Sequence, residues 1–350
     1  MNGYGNSVFL RTAWEVSGGV PPVNTVAPAI TGTAQEGQIV TCSTGTWTGT
    51  PTITFAYQWK RNGSNIGSAT NSTYTLVTAD VSQSITCQVT ATNGVGSASA
   101  TSNTITPTAA VDPDAQAFIT AAAITDPTQQ AAINTLVVDL KGYNVWTKMK
   151  ALYPMVGGTA TSHSYNLRNT SQYQITWNGG QTHDANGYTP GVNGYGNTSF
   201  ATNLYTSAND FGLSTYIRTN TTSGADIGVF SPDLRYIGSN LTNFAYFGVG
   251  NTFILGANTD AKAFWQVNRT SASVVKGFKN SSVFVSGTTG AGTLGARTVF
   301  IGALNDNGNA NFYAPRQHAF DAIHDGLTDT EAANFYTAVQ AFQTTLSRQV

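Results

Sequence analysis

Charge is what this chain has least of. Lysine and arginine number 16 and aspartate and glutamate 17 in 350 residues, a charged fraction of 9% and a net charge of −1, where ordinary soluble domains carry about 25% charged residues. No run of basic residues supplies the long-range attraction on which nucleic-acid binding depends, so DNA and RNA are excluded as partners. The four histidines, His163, His183, His318 and His324, never stand at His-x-His or His-x-x-x-His spacing, and no cysteine lies close to them, so a zinc site has no support. No stretch approaches the roughly 18 apolar residues of a membrane span, and the first twenty residues contain no apolar signal core. The expectation is neither membrane insertion nor ordinary secretion.

Catalytic signatures are missing too. No Gly-x-Ser-x-Gly elbow, P-loop or dinucleotide fingerprint follows a strand, and 17 acidic residues leave few candidates for the paired carboxylates of a glycan-cleaving enzyme. His183 beside Asp184 and His324 beside Asp325 do not make a base and its orienting acid, because neighbours on a strand point to opposite faces. Each is read as a lone loop histidine, and the chain as non-enzymatic.

What is present is a 40% apolar chain with 36 glycines, made soluble by Thr, Ser, Asn and Gly. That balance fits an all-β extracellular or virion protein, and the length allows two or three domains. Residues 20–107 read as short alternating strands between Gly, Asn and Pro signals, the pattern of a β-sandwich. The strands expected are "QIVTCSTGTW", "FAYQWKRNG", "STYTLVTADV" and one beginning "SITCQVTATN". Cys42, Trp59 and Cys87 have the order of an immunoglobulin core, although Ile85 stands where a corner tyrosine would be. The wording resembles the Ig-like modules of bacterial surface proteins and phage tails. A Cys42–Cys87 disulfide and two buried thiols are equal alternatives, since assembly in a reducing cytoplasm would keep both reduced.

Residues 108–154 read as a helical connector. Asp112 before Pro113 and Asp126 before Pro127 are N-caps followed by proline at the first helical position. The second helix presents Ile133, Leu136, Val137 and Leu140, with Gly142 expected to close it, and a third short helix is expected around Val145 to Leu152. Sustained heptads are lacking, so packing beneath the next domain is preferred to an oligomerisation stalk.

The last third is the most informative. Val299, Ile301 and Ala303 alternate with Thr298, Phe300 and Gly302, as a strand does. Asn305, Asp306, Asn307, Gly308 and Asn309 form a turn, Phe320, Ala322 and Ile323 give a second apolar run, and Thr328 with Glu331 forms a capping box. Phe335, Val339, Phe342 and Leu346 recur at helical spacing. This order resembles the closing segment of the laminin-G-like or concanavalin-A-like sandwich of many bacteriophage tail and fibre proteins, over roughly residues 155–348 of a domain expected at 155–350. In that resemblance "FGLSTYIRTNTTSGADIGVFS" (211–231) is a hairpin, and so is "VVKGFKNSSVFVSG" (274–287), with Asn280 and Ser281 at its turn.

Two ligand sites are expected. The Gly-rich stretch 177–200 combines the rings of Trp177, Tyr188 and Tyr195 with Asn178, Asp184, Asn186 and Asn193, the mixture a glycan site needs. Asn305, Asp306 and Asn307 are candidates for calcium, with a hydrogen-bonded turn as the competing reading. "NGYGN" occurs at 2–6 and again at 193–197. Residues 1–19, with Val8, Phe9, Leu10 and Trp14 ahead of "SGGVPP", read as an arm attaching to other virion proteins.

The sequence thus reads as a mainly β virion structural protein, assembled in the host cytoplasm and displayed on the particle as fibre, tail or capsid decoration. It carries an Ig-like sandwich, a helical connector and a laminin-G-like sandwich with a closing C-terminal helix. Host-surface glycan and further copies of itself are its other candidate partners. A glycan-processing tail enzyme and a bacterial cell-surface adhesin are the alternatives.

Overall fold

The structure, a computed structural model, describes residues 18–231 and 233–350. The expected attachment arm, with Val8, Phe9, Leu10 and Trp14 and the first NGYGN, lies outside the described residues apart from Gly18 and Gly19. The chain is mainly β and forms two compact units that divide between Ala110 and Val111.

In the first unit β1 (Val20–Val26) pairs with β4 (Thr46–Thr50). A three-stranded sheet runs β2 (Ile30–Thr31), β3 (Ile39–Cys42), β7 (Thr73–Thr75), and a four-stranded sheet runs β6 (Ser64–Asn65), β5 (Thr54–Arg61), β8 (Ile85–Thr92), β9 (Ser97–Thr101). The stretch expected as one strand through Cys42 and Trp47 breaks at Gly45, whose φ of +73° and close approach to the Val26 carbonyl admit no side chain. "STYTLVTADV" likewise yields β7 and then a single 3₁₀ turn at Thr78–Asp80. Cys42, Trp59, Ile85, Leu76 and Cys87 share the core, and the Trp59 indole donates to the Asn71 carbonyl at 2.9 Å. Cys42 and Cys87 are free, buried thiols. A hydrogen bond between them lowers the Cys42 pKa, and the same bond, with burial, raises that of Cys87.

The second unit has three layers. Its helices are α1 (Pro113–Ala121), α2 (Pro127–Gly142), α3 (Ala160–Ser164) and α4 (Asp329–Thr345). Asp112 and Asp126 cap α1 and α2, accepting from Asp114 N at 2.9 Å and Gln129 N at 2.7 Å. The left-handed residue that ends α2 is Asn144, φ 59°, rather than Gly142. The expected third helix is a 3₁₀ turn at Trp146–Lys148 followed by β10 (Met149–Tyr153), because pairing with β26 (His318–His324) satisfies that backbone in extended form.

The middle sheet orders β12 (Gln181–Asp184), β13 (Gly187–Pro190), β26, β15 (Phe211–Ile217), β20 (Ala263–Arg269), β21 (Val274–Lys279) and β22 (Ser282–Thr288), with β10 also on β26. The outer sheet orders β11 (Thr176–Asn178), β14 (Tyr195–Ala201), β23 (Thr298–Ile301), β16 (Ile227–Ser231), β17 (Leu234–Leu241), β18 (Phe244–Gly250) and β19 (Thr252–Ala257). Against β16 lies the small hairpin of β24 (Leu304–Asp306) and β25 (Asn309–Asn311). One face of the middle sheet, with Tyr216, Phe264 and Phe320, packs on Ile133, Leu136, Phe335, Val339 and Phe342 of the helices. Its other face, with Leu213, Ile217, Trp265 and Ile323, packs on Ile227, Ile237, Phe247 and Ile301 of the outer sheet.

Burial on both faces explains why every residue of β15, β20 and β26 is buried. It also corrects the hairpin expected over 211–231: β15 lies in the middle sheet and β16 in the outer one, so this segment crosses between layers. The hairpin at 274–287 forms as expected, turning at Asn280 with φ 57° and Ser281. α4 carries the Thr328–Glu331 capping box, with Phe335, Val339 and Phe342 buried and Leu346 half-buried.

Candidate functional site

The stretch 177–200 is not a loop. It builds β11, β12, β13 and most of β14, and sets the three candidate rings in two places, Trp177 against Tyr188 and Tyr195 on the outer sheet. Tyr188 is fully buried, with ring centroids 4.7 Å from Trp177 and 4.9 Å from His318. It is a core residue and offers no platform to a sugar. Trp177 packs at the sandwich edge, its indole donating to the Ala160 carbonyl at 2.8 Å. Tyr195 belongs to the outer sheet and lies 4.6 Å from Phe300. The polar members end strands or stand in turns: Asn178, last in β11, donates to Thr176 O, Asp184, last in β12, accepts from the turn residue Asn186 N at 2.7 Å, and Asn193 takes a left-handed φ of 58°. Strand pairing thus turns the expected loop into strands, with Trp177 against Tyr188 and Asn178 opposite Tyr195.

The oxygens expected to hold calcium serve the β24–β25 hairpin. Asn307 and Gly308, at φ 50° and 97°, form the two-residue Asn-Gly turn that hairpins favour. Asn305 accepts from Gly308 N at 2.7 Å and donates to Thr298 O at 2.9 Å, while Asp306 accepts from Asn311 and Asn307 accepts from Arg297. Among the described residues no group of three or more His, Cys, Asp or Glu side chains could hold a metal ion.

Cross-strand register on the outer sheet assembles a different feature, one no linear motif announces. Asn197, Phe300, Gly228, Tyr236, Gly248 and Phe253 are successive register partners across β14, β23, β16, β17, β18 and β19. Their side chains lie on the face opposite the core, because their neighbours Ile301, Ile227, Ile237, Phe247 and Ile254 point inward. Glycine between aromatic positions lets a ring lie down on the sheet: a Cβ on Gly248 would sit 2.1 Å from Cδ1 of Tyr236. From Tyr236 a ribbon of rings runs both ways. Phe230 lies 6.3 Å from it and Phe312 5.0 Å beyond. On the other side Tyr246 packs in the same cluster, with Phe253 5.2 Å further on. The ribbon is exposed at its ends, Phe253 and Phe312 each at 44%. Asn243 and Asn251, flanking the two ends of β18, and Asn309 and Asn311, on β25, are all exposed. Over β16 to β19 this surface spans three interstrand steps, about 15 Å.

His183 and His324 are not the loop residues expected: they lie on β12 and β26, with His163 on α3 and His318 also on β26. His318 bonds Asp321 at 3.0 Å with both side chains buried. Burial raises the Asp321 carboxyl pKa against the pull of His318. Burial pushes the Asp226 pKa up, but Arg316 at 2.7 Å, His318 and the Ser239 amide together hold it below the usual carboxylate range. Both acids are committed to internal partners.

No protein-family model matches the chain, and no curated protein matches its sequence. Among solved structures, domain 4 of AbnA, a GH43 extracellular arabinanase from Geobacillus stearothermophilus in complex with arabinotriose, is similar at 15% identity and TM-score 0.38, over 54% of this chain and 98% of that one. A mutant Trypanosoma rangeli sialidase displaying trans-sialidase activity is similar at 8% identity and TM-score 0.42, over 74% of this chain and 43% of that one. The binding domain of botulinum neurotoxin serotype D is similar at 7% identity and TM-score 0.37, over 55% and 52%. The chain thus spans about half the length of the last two.

Proposed function

We propose that the protein is a non-enzymatic adhesion and display protein of a bacteriophage particle, in fibre, tail or capsid decoration, that holds a neutral host-surface glycan on the outer sheet of its C-terminal unit. The ribbon Phe312–Phe230–Tyr236–Tyr246–Phe253 carries this reading. A neutral, hydroxyl-rich ligand offers no charge to attract, so stacking on ring faces and a few directed hydrogen bonds must hold it. Exposed rings beside exposed asparagines supply both. Asp226, held by Arg316, and Asp321, held by His318, are not available as the two carboxylates open to a cleft that glycoside cleavage needs. The phage setting rests on the resemblance of residues 155–348 to the laminin-G-like sandwich of tail and fibre proteins. The test is adsorption of the full chain to a panel of host-surface polysaccharides. Binding that falls in Phe253→Ala and Phe312→Ala, with unchanged melting, supports the reading. Undiminished adsorption in both would move the protein from adhesion to decoration.

A further inference from the structure

Two imidazoles meet between α3 and the sheet-edge strand β12. Nδ1 of His163, a buried residue of α3, faces Nδ1 of half-buried His183 on β12 at 3.0 Å. A neutral imidazole has one N–H and one lone pair, so this contact is a hydrogen bond only when one ring carries its proton on Nδ1 and the other does not. Both Nε2 atoms are buried without a partner. Around the pair stand the rings of Trp177, 4.7 Å from His183, and Tyr188, 5.9 Å from it. The charged groups facing it are Arg348, beyond α4, and exposed Asp184, with His318 and Asp321 one ring further in past Tyr188. Arg348 is held by the carbonyls of Pro154, Met155 and Ala319, so it cannot retreat when positive charge appears beside it.

We propose that His163 and His183 form an acid-opened latch, which ties α3 to the edge strand β12 at neutral pH and releases both when the two rings are protonated. A first proton is shared between the facing nitrogens. A second leaves two N–H groups and two positive charges opposed at hydrogen-bond distance, next to Arg348, and the tie is lost. Burial, the neighbouring ring and Arg348 hold the His163 pKa down at about 3, and burial lowers that of His183, so the latch stays shut at neutral pH. The Trp177 indole bond to Ala160 is the next tie, so opening exposes the Trp177 ring while β15 and β20 keep their pairing.

Hydrogen exchange of the full chain, corrected for intrinsic rates and followed from about pH 7 to about pH 3.5, tests this. The expected result is that amides of 157–164 and 181–184 lose protection at least roughly tenfold beyond any loss in β15 and β20, which fall only as far as global stability does. His183→Gln, which keeps a hydrogen-bonding side chain but takes no proton, should abolish that step, and His163→Gln should do the same. Protection that survives acid in the native chain, is lost together with that of β15 and β20, or is lost equally in both variants would overturn the latch.

Discussion

Nε of Arg316 meets Oδ1 of Asp226 at 2.7 Å with neither side chain exposed. The rest of the guanidinium donates to the carbonyls of Thr221, Ser223, Gly224 and Asn240, and Asp226 also accepts from Ser239 N at 2.6 Å. One ion pair thus pins the crossing from β15 to β16. Arg316→Leu leaves a buried, uncompensated carboxylate and is expected to cost about 3–5 kcal/mol. The double variant Asp226→Leu/Arg316→Leu should recover part of it. Urea unfolding of the three chains checks this, and a single variant as stable as the double would show that the pair is not coupled.

Gly248 is the position where the aromatic face is most easily damaged without touching an aromatic residue. A Cβ there would meet the Tyr236 ring at 2.1 Å, so Gly248→Ala must lift the ring off the sheet. Overpacking of this kind costs about 1–3 kcal/mol. Glycan adsorption is expected to fall together with thermal stability. A variant that melts as the native chain does would place the ring elsewhere.

Much of the fold is legible in the sequence, and the site is not. The capping box at Thr328 and Glu331, the caps Asp112 and Asp126 and the turn at Asn280 are local, so their residues alone announce them. The burial of "FGLSTYI" on both faces depends on a third layer contributed by helices at both ends of the unit, and no pattern within 211–231 reveals it. The ribbon is more distant still: Phe230, Tyr236, Tyr246, Phe253 and Phe312 come from four strands and a connection, and only register brings them together. The glycine-rich stretch 177–200 places its aromatic residues close in sequence, yet one of them, Tyr188, is consumed by the core.

Tyr188→Ala should therefore act on the fold. With its ring fully buried between Trp177 and His318, the loss is expected at about 3–5 kcal/mol, as it is for Phe342→Ala under α4. Thermal melting of both variants decides it. A Tyr188→Ala chain of native stability that had lost only adsorption would restore this residue to the ligand site.

Removing divalent cations should leave the melting temperature unchanged. Asn305 holds its own hairpin, Asn307 accepts from Arg297 and Asp306 holds Asn311, which leaves one shared carboxylate for a cation that prefers six to eight oxygens. Scanning calorimetry with and without a chelator is the measurement, and a chelator-sensitive transition would return calcium to this rim.

Stability should fall in acid through His324. This ring is fully buried, with Nε2 2.7 Å from Ser214 Oγ and Nδ1 2.8 Å from the Asp325 carbonyl. A carbonyl only accepts, so Nδ1 carries the proton and Nε2 accepts from the serine hydroxyl. Burial pushes the pKa down to about 4, with Lys148 adding to it against the Asp325 carbonyl bond. The unfolded chain, with a histidine pKa of about 6.5, takes up the proton first. The contribution of this ring is therefore fully present above about pH 6.5 and is lost progressively as the pH falls to about 4, by about 3 kcal/mol in all. Unfolding midpoints of the native chain and His324→Gln across that range give the difference. Parallel pH profiles for the two chains would mean that acid acts elsewhere.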